Sequence, residues 1–459
     1  MSAAMPVPKA AEVATLQPAR ASLDHIVFWS LTGLLLFAPL AFGATEPWST
    51  FVLEAGAALI FAVWAFAQIR SGELRLEGNP LFAPMGTFGV LVVVQWIARL
   101  TAYRHDTWSS LLLYTTYALL CFLVVQCLQR TWQVKLLAVT VCVYGFAVAL
   151  FAIVQGMSSN GKLYWLRAPS RGGWIYGPYV NHNHYAGLME LILPVPMVIA
   201  LSHFVRGPKK TMAMTAAAVM LASVFLSGSR GGMIAVVVQV AFLFVAVARH
   251  ENRKGRKTRA SSWVAYAAAL IATVGLVAWL GGTQLAERLE SIHAETRSEL
   301  SGGTRLAIDR DALRMFARRP VLGWGLGTFP TVYPQFQSFY SEFLVNAAHN
   351  DYLQFMTETG AVGMVIVIWF LAVTYRQASR KLANWPSDTN GAAALAAIAG
   401  VTGILVHSFV DFNLQVPANA ALFYVLCVIA AMPPRFGLTR RTLRKASVSP
   451  EVSPQVGMG

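Results

Sequence analysis

Long apolar runs recur along this chain, and they decide its fold class. A helix that crosses the hydrocarbon core of a membrane needs about 20 mostly apolar residues. Twelve candidate runs lie at residues 25–43, 50–69, 82–100, 108–128, 135–156, 185–204, 211–227, 232–248, 262–281, 353–375, 391–410 and 418–432. The composition agrees, since 56% of the residues are hydrophobic and 12% are charged, whereas a soluble domain has about 25% charged residues. We therefore predict an all-α integral membrane protein with about 12 transmembrane helices, and we exclude an ordinary soluble enzyme.

The distribution of basic residues predicts the orientation of the chain. The net charge is +15, and most of the Lys and Arg residues fall in alternate connecting segments, as the positive-inside rule requires of cytoplasmic loops. Because this rule accounts for the charge, we expect no nucleic-acid partner, and we predict that both termini are cytoplasmic. The predicted organisation is a tail at 1–24, nine helices at 25–281, a large outer loop at 282–350, three helices at 351–432 and a basic tail at 433–459.

The large outer loop is predicted to hold two helices. Apolar residues repeat at near-helical spacing over 284–300, and Thr304 is a suitable N-cap for a second helix. The apolar face of this second helix is predicted to consist of Leu306, Leu313 and Phe316. An aromatic stretch follows, with Phe329, Tyr333, Phe336, Phe339, Tyr340 and Phe343. Such a stretch is typical of a segment at the membrane interface; a cap packed over the helix bundle is the alternative.

Ionisable residues within the apolar runs are few, and their depth indicates where the chemistry takes place. Charged side chains are costly in a membrane and usually face a cavity or a partner. The residues concerned are Glu54, Glu190, Arg230, Glu358, His407 and Asp411, which we place near the outer ends of their runs. The inner halves are almost purely apolar, which argues against a proton or solute pathway. The chemistry is therefore predicted at the outer face, beneath the 282–350 loop.

The first candidate site motif is Asn181-His-Asn-His184, at the mouth of the sixth run. His182 and His184 are spaced so that both could ligate a metal, but no third ligand is nearby. Hydrogen bonding to a sugar or phosphate, and capping of the helix by Asn183, are the two other interpretations. No pair of carboxylates at the outer face has a spacing suited to Mg²⁺, and the four cysteines lie inside apolar runs. We therefore expect no metal and no cofactor.

Two arginine motifs indicate anion binding. Ser227-Gly-Ser-Arg-Gly-Gly232 is a tight turn in which Arg230 offers a planar fork to a phosphate; snorkelling of Arg230 to lipid headgroups is the alternative. A row of arginines recurs at every fourth residue of the second loop helix, just after Arg305: Arg310, Arg314 and Arg318. An anionic ligand or lipid would relieve their mutual repulsion. A solvated face, partly neutralised by neighbouring Asp residues, is the other interpretation.

The motif Ala347-Ala-His-Asn-Asp-Tyr-Leu-Gln354 places a histidine where the loop re-enters the membrane at the tenth run. A neutral imidazole at this position is able to take a proton from an attacking hydroxyl. A purely structural role for His349 is the alternative.

Taken together, these motifs resemble those of the O-antigen ligase and polymerase superfamily of bacterial envelope glycosyltransferases. The motifs concerned are Tyr179–Gly187, Ser227–Gly231, Thr304-Arg305 leading to Pro320 and Gly323–Gly327, Ala348–Tyr352, and His407–Asn413. They cover about residues 170–420, and His349-Asn350 followed by Gly360 and Gly363 is the most specific element. The resemblance implies a membrane glycosyltransferase of GT-C-like architecture.

The resemblance also implies an activity and a site. A glycan would pass, without a metal, from an undecaprenyl-diphosphate carrier to an acceptor on the periplasmic side of the bacterial inner membrane. His349 would act as the general base, and Arg230 and Arg305 match the arginines expected to hold the diphosphate. The other substrate-binding residues expected are Arg171, Arg314, Asn183, His184 and Asn350.

The acceptor distinguishes the members of this superfamily. In a ligase it is a sugar hydroxyl of the lipid A–core, and the single large loop that ends in His349 favours this member. An O-antigen polymerase and a protein O-oligosaccharyltransferase share the donor chemistry and are the alternatives. A lipid or solute transporter is the alternative from another class, but the chain lacks a polar track through the membrane and an obvious internal repeat. Membrane lipids are the remaining partners expected.

Overall fold

The computed structural model describes residues 10–72, 74–169, 174–253, 302–341 and 344–436. Within these ranges the protein is helical and has no β-strand. The helices are α1 (Ala10–Leu40), α2 (Pro47–Ser71), α3 (Phe82–Ile97), α4 (Arg104–Cys127), α5 (Thr131–Met157), α6 (His182–Ile192), α7 (Pro194–Leu201), α8 (Pro208–Ser227), α9 (Arg230–Arg253), α10 (Gly302–Arg318), α11 (Phe329–Val332), α12 (Asp351–Ser379), α13 (Thr389–His407) and α14 (Pro417–Ala431).

Eight helical stretches in the described ranges are long and apolar enough to cross a membrane. They are α2, α4, α5, α8, α9, α12, α13 and the continuous stretch formed by α6 and α7 together. Three shorter apolar helices are α3, α14 and the Asp24–Leu40 part of α1, and they stand where three further runs were predicted. The ninth predicted run, 262–281, and the predicted loop helix at 284–300 lie outside the described residues. The protein is thus a multi-pass membrane protein, while the total of 12 spans and the GT-C-like architecture stay predictions.

Two of the predicted continuous spans are broken in the structure, and α1 begins earlier than its predicted run. The sixth run divides into α6 and α7 at Pro194, since proline cannot donate to the preceding turn and crowds its carbonyl group. The tenth run, α12, is interrupted at Gly360, which has a φ of +68°. Helix α1 begins at Ala10, inside the segment predicted as an N-terminal tail.

Helices α6 and α13 lie at the centre of the bundle. Every residue of α6 from His182 to Ile192 is buried, although this helix carries two histidines and Glu190. Helix α13 packs against α6, α7, α9 and α14. The polar groups of α6 are therefore held between helices instead of facing lipid, as expected for functional polar residues in a membrane protein.

The outer loop has a small hydrophobic core of its own, and this core corrects one prediction. The buried face of α10 consists of Ile308, Ala312 and Met315, which are fully buried. The predicted face is wrong, since Leu306 and Leu313 are 51% and 49% exposed. The correct face was obscured by Asp311, a charged residue in the buried stripe. Its carboxylate accepts hydrogen bonds from the Ser338 backbone and hydroxyl, from the Tyr333 hydroxyl and from Arg314.

The aromatic stretch after α10 also packs mainly into this loop core. Phe329 and Tyr333 are fully buried in it, and Phe336 and Phe339 pack at its edge. Tyr340, by contrast, is 88% exposed, and Phe343 lies outside the described residues. The structure therefore favours the interpretation of this stretch as a cap packed over the bundle.

Candidate active site

The turn between α8 and α9 brings Arg230 to the end of the bundle where the loop of residues 302–350 packs. Gly228, with a φ of +76°, ends α8 in the left-handed conformation, and Arg230 is the exposed first residue of α9. A Cβ atom at Gly231 would lie 2.5 Å from the ring of His407. Only glycine at this position lets α9 approach α13 so closely. The turn that presents Arg230 is therefore seated directly on the His407 imidazole.

A buried pair of ionisable residues supports this turn. Nδ1 of His407 and Oε1 of Glu190 are joined by a hydrogen bond of 2.7 Å, and the two side chains are 1% and 0% exposed. The Glu190 carbonyl accepts a hydrogen bond from Gln239 on α9. Glu190 Oε2 has no hydrogen-bond partner within the part of the chain that the structure describes. The pair thus connects α6, α9 and α13 immediately below Arg230.

The turn after α13 places a carboxylate among three histidines. Oδ1 of Asp411 lies 3.7 Å from Nε2 of His184, and Asp411 is 1% exposed. Burial alone would raise the pKa of the Asp411 carboxyl, but its contact with His184 and the charges of His407 and His349 hold it well below its usual range. The anionic form of Asp411 is therefore favoured.

An aromatic ring separates two of these histidines. Phe412 packs edge-to-face against His184, with ring centroids 4.7 Å apart, and against His349, with centroids 4.8 Å apart. The ring therefore lies between the two imidazoles and packs against both. His349 is consequently held at the edge of the site instead of moving freely in solvent.

His349 has an unusual backbone conformation. Its φ is +53°, in the left-handed region that costs non-glycine residues about 1–2 kcal/mol. The next residue, Asn350, caps α12 through its side-chain oxygen, which accepts hydrogen bonds from the backbones of Tyr352 and Leu353. Strain of this kind persists only where the surroundings impose it, and it is common at functional sites. The sharp turn aims the imidazole at Phe412 and away from the start of the helix.

The carboxylate of Asp351 ties the start of α12 to the turn after α13. It accepts hydrogen bonds from the Ser408 hydroxyl at 2.8 Å, the Leu414 backbone at 3.0 Å and the Gln415 side chain at 3.3 Å. These bonds hold the segments that carry His349 and Asp411 next to each other, although 62 positions separate the two residues in the sequence.

Arg305 reaches the same turn from the outer loop. Its Nη1 donates a hydrogen bond of 3.2 Å to the carbonyl of Val410, the residue before Asp411. Its Nε is buried and has no acceptor among the described residues. Buried donors in native proteins normally have partners, so this N–H group is available to an additional acceptor.

The loop is held on the membrane helices at Glu358 and Gly360. The Glu358 carboxylate accepts hydrogen bonds from the backbones of Gly327 at 2.9 Å and Phe329 at 3.2 Å. The side chain of Gln95 on α3 donates to the carbonyl groups of Leu322 and Glu358. The motif Gly323–Gly327 is thus fastened to α12, which fixes the loop that carries Arg305.

Replacing Gly360 by alanine is expected to loosen this attachment. The conformation of Gly360, with φ +68° and ψ −169°, is nearly exclusive to glycine, and a Cβ atom would collide with the backbone of Val321 and Leu322. The backbone conformation alone should lower the free energy of unfolding by about 1–3 kcal/mol. Thermal unfolding in detergent measures the effect. The control is Gly33→Ala, since a Cβ there meets nothing within 4 Å, and equal melting temperatures for the two variants would contradict the prediction.

The other predicted site residues have varied surroundings. His182 stacks on Trp174 and bonds to the Ser227 carbonyl, so His182 and His184 face different partners. The cap of α6 is Asn181, not Asn183. Arg314 pairs with Asp311 at 3.1 Å, and its side chain is 65% exposed. Arg171 lies outside the described residues. Substrate contacts of Arg171, Arg314, Asn183, His184 and Asn350 stay predictions.

The sequence identified several ionisable residues but not their pairing. His407, Glu190 and Asp411 stood out as ionisable groups in or beside apolar runs, a signal that such residues face a partner. Nothing in the sequence indicated that Glu190 pairs with His407 or that Asp411 lies beside His184. Phe412 carried no signal beyond its place in the His407–Asn413 motif. Among the described residues, no group of three potential metal ligands is found.

A known family matches part of the chain that forms this site. Residues 215–368 match the family model described as O-antigen ligase. The matched range begins in α8, contains Arg230, Arg305 and His349, and ends in α12. It does not include α6 or the turn after α13, which complete the site in space.

No curated protein sequence matches the chain. The matching family consists of glycosyl-transfer enzymes, so the match supports a ligase or polymerase type of function in polysaccharide biosynthesis. The resemblance seen in the sequence motifs is thereby confirmed, and residues 215–368 support a member of the O-antigen ligase and polymerase superfamily.

Proposed function

We propose that this protein is an O-antigen ligase. It transfers a glycan from undecaprenyl diphosphate to a sugar hydroxyl of the lipid A–core, at the periplasmic face of the bacterial inner membrane, with both of its termini in the cytoplasm. The observation that carries the proposal is the convergence of His349, Asp411 and Arg305 on the single turn that follows α13. Three groups therefore meet at this turn: the His349 base, the Asp411 anion that stabilises the protonated base, and the Arg305 donor for a phosphate.

In the proposed reaction, His349 activates the acceptor. The acceptor hydroxyl attacks the anomeric carbon of the donor, and its proton passes to the imidazole. The carboxylate of Asp411, which interacts with His349 through its charge, stabilises the imidazolium that forms. The edge of Phe412 holds the His349 ring in place during this step.

The arginines assist departure of the carrier. The bond between the anomeric carbon and the diphosphate oxygen breaks, and undecaprenyl diphosphate leaves with the electron pair. Guanidinium groups form strong, charge-assisted hydrogen bonds with phosphate oxygens. Arg305, with its unused buried Nε, and Arg230, on a turn seated on His407, supply this charge.

The choice of acceptor is the direct test. The purified protein is incubated with one undecaprenyl-diphosphate-linked glycan and, in separate reactions, with lipid A–core, with excess donor alone or with an acceptor peptide. A ligase forms product only with lipid A–core. Products made from two donor molecules would instead identify a polymerase, and a modified peptide would identify a protein O-oligosaccharyltransferase.

Replacing Arg230 or Arg305 by alanine is expected to impair donor use, and lysine is expected to restore it only in part. Lysine keeps the charge but loses the planar fork that binds two phosphate oxygens, and removal of one such stabilising donor typically costs about 10²–10³ in kcat. Initial rates against donor concentration measure the effect. Arg376→Ala, an exposed arginine in the last turn of α12, is the control. Donor kinetics unchanged in both alanine variants would rule out a diphosphate role.

Transfer is expected to survive exhaustive treatment with EDTA. The guanidinium groups supply the positive charge that a metal ion provides in other pyrophosphate-releasing enzymes, and the neighbouring Arg310 and Arg314 disfavour a cation near Asp309 and Asp311. Activity is compared before and after chelation, and again after addition of Mg²⁺ or Mn²⁺. Loss on chelation followed by recovery with metal would contradict the arginine mechanism.

A further inference from the structure

A positively charged surface beside the loop takes no part in the chemistry described so far. It is formed by residues 98–108, the turn between α3 and α4 with the start of α4. Arg99 and Arg104 are exposed there, and neither guanidinium has a hydrogen bond or an ion pair within the described part of the chain. Asp106 is the only acidic residue of this segment, and its carboxylate accepts a hydrogen bond of 2.6 Å from the Thr331 hydroxyl. The surface therefore offers unused donors to an anion.

Both arginines are presented by a defined structure. The guanidinium of Arg104 lies 4.4 Å from the centre of the Trp96 ring, and Trp96 packs against Trp108 with centroids 5.2 Å apart. Stacking of this kind leaves the planar fork of N–H donors available. The backbone of Arg99 has a φ of +57°, which costs a non-glycine residue about 1–2 kcal/mol. Such strain persists only where the surroundings impose it, and it is common at functional sites.

The loop fixes the position of this surface. The Ala102 backbone donates a hydrogen bond of 2.7 Å to the Trp324 carbonyl, and Arg319 on α10 donates one of 2.9 Å to the Leu100 carbonyl. In the proposed orientation the surface faces the periplasm, the side on which basic residues beside spans are normally scarce. Membrane topology therefore does not account for the two arginines, whereas binding of an anion does.

The surface of α3 next to the two arginines is apolar. Val90, Val94 and Ile97 follow one another along one side of this helix and are 63%, 44% and 65% exposed. In a membrane protein such a stripe faces the hydrocarbon of the lipids. A ligand at the arginines is thus anionic at one end and has an apolar part beside α3. This combination is that of an anionic lipid, and it does not fit a soluble anion or an acidic protein.

The length of α10 separates this surface from the candidate site. Arg305 at the start of the helix contacts Val410 at the site, and Arg319 just after its end contacts Leu100 on the surface. These two arginines are 14 positions apart in the chain, about 21 Å at 1.5 Å per residue. A phosphate bound at the surface is therefore remote from the reacting atoms.

This distance decides between the two proposed substrates. In the donor, the diphosphate is bonded directly to the reacting sugar carbon, so its phosphates lie at the site itself. In the lipid A–core acceptor, a series of core sugars separates the reacting hydroxyl from the phosphorylated lipid A. We infer that Arg99 and Arg104 bind a phosphate group of the lipid A part of the acceptor, an inference that rests on the proposed function. The acyl chains lie beside α3, and the core extends along α10 toward His349.

The kinetic test compares Arg99→Asn and Arg104→Gln with the wild type, using lipid A–core with its lipid A phosphates and the same acceptor after their enzymatic removal. Asparagine tolerates the left-handed conformation of position 99. The wild type should have the lower KM for the phosphorylated acceptor. Each variant should raise this KM about tenfold, near the lower end of what hydrogen bonds to charged groups contribute. The KM values for the dephosphorylated acceptor and for the donor should not change.

The matched control is Arg167→Gln, in the segment between α5 and α6. Arg167 is also an arginine stacked on an aromatic ring, 4.9 Å from the centre of Phe42, but it pairs with Glu46 and does not belong to the surface. This variant should keep the wild-type KM for both acceptors. Three results would each overturn the inference: equal KM values of the wild type for the two acceptors, no change in Arg99→Asn and Arg104→Gln, or the same rise in the control.

A binding measurement separates this inference from the proposed function. The affinity of the purified protein for each form of lipid A–core is measured in detergent without donor. About tenfold weaker binding of the phosphorylated form to both variants supports the inference even if no glycan transfer is detected. Transfer to lipid A–core with wild-type KM in both variants would keep the proposed function and overturn the inference. Displacement of lipid A–core by an equal concentration of phosphatidylglycerol or of inorganic phosphate would identify a general anion site and overturn it as well.

Discussion

Replacing His349 by glycine is expected to abolish glycan transfer without loss of stability. The imidazole is the proposed base, and general acid–base catalysis contributes about 10²–10⁴ in rate, so a loss of at least about a hundredfold is expected. The backbone of His349 is left-handed, with a φ of +53°. Because glycine adopts this conformation without steric strain, the variant should melt at the wild-type temperature or above. The variant therefore separates the effect of the imidazole on the transfer rate from its effect on stability.

Transfer rates and thermal melting of His349→Gly, His349→Asn and the wild type test this expectation. Asparagine also tolerates the left-handed region but is not a base, so it should be inactive as well. Added imidazole should restore part of the activity of the glycine variant. His105→Ala, in the exposed first turn of α4, is the control. A glycine variant with wild-type rates would show that His349 is not the base.

Removal of either partner of the Glu190–His407 pair is expected to have the largest effect on stability. The two groups are joined at 2.7 Å and are almost fully buried. Removing one partner of a buried ion pair typically costs about 3–5 kcal/mol. Glu190→Leu and His407→Leu should each cause a loss of this size, whereas the double variant should lose clearly less than the sum. Activity should fall too, because the turn that presents Arg230 rests on the His407 ring.

The free energy of unfolding of the wild type, the two single variants and the double variant is measured by reversible unfolding in mixed micelles, and the four values form a double-mutant cycle. The matched control is the hydrogen bond between Tyr375 on α12 and Thr402 on α13, at 2.7 Å, which is also within spanning helices but outside the site. Hydrogen bonds between membrane helices contribute about 0.6 kcal/mol on average, so Tyr375→Phe should cost far less. Additive losses for Glu190→Leu and His407→Leu would show that the pair does not act as a unit.

The sequence predicts most of the membrane fold because each span depends on local composition. Eleven of the twelve predicted runs coincide with apolar helices in the described residues. The errors arise where packing overrides a local pattern. In α10 the buried Asp311 interrupts the true apolar stripe, and its cost is offset by hydrogen bonds from Ser338 and Tyr333, which no periodicity indicates. The break at Gly360 likewise reflects the close approach of the Val321 backbone.

The candidate site was predictable in part, for a similar reason. Arg230, Arg305 and His349 are recognisable because glycine turns and a loop–membrane junction are visible in the sequence itself. Asp411 acquires its role only through its distance to His184 and the charges of three imidazoles. Phe412 acquires its role by lying between two rings. Contacts of this kind join distant parts of the chain, and a single sequence does not encode them in any local pattern.

The distance in the chain between Glu190 and His407 has a consequence for biosynthesis. The two residues are 217 positions apart, which corresponds to about 10–40 s of translation at about 5–20 residues per second. Throughout this interval α6 has left the ribosome while the helix that carries its polar partner does not yet exist. The nascent chain therefore carries Glu190 without its His407 partner until α13 is made. The candidate site is consequently complete only after α13 and the turn that follows it have been inserted.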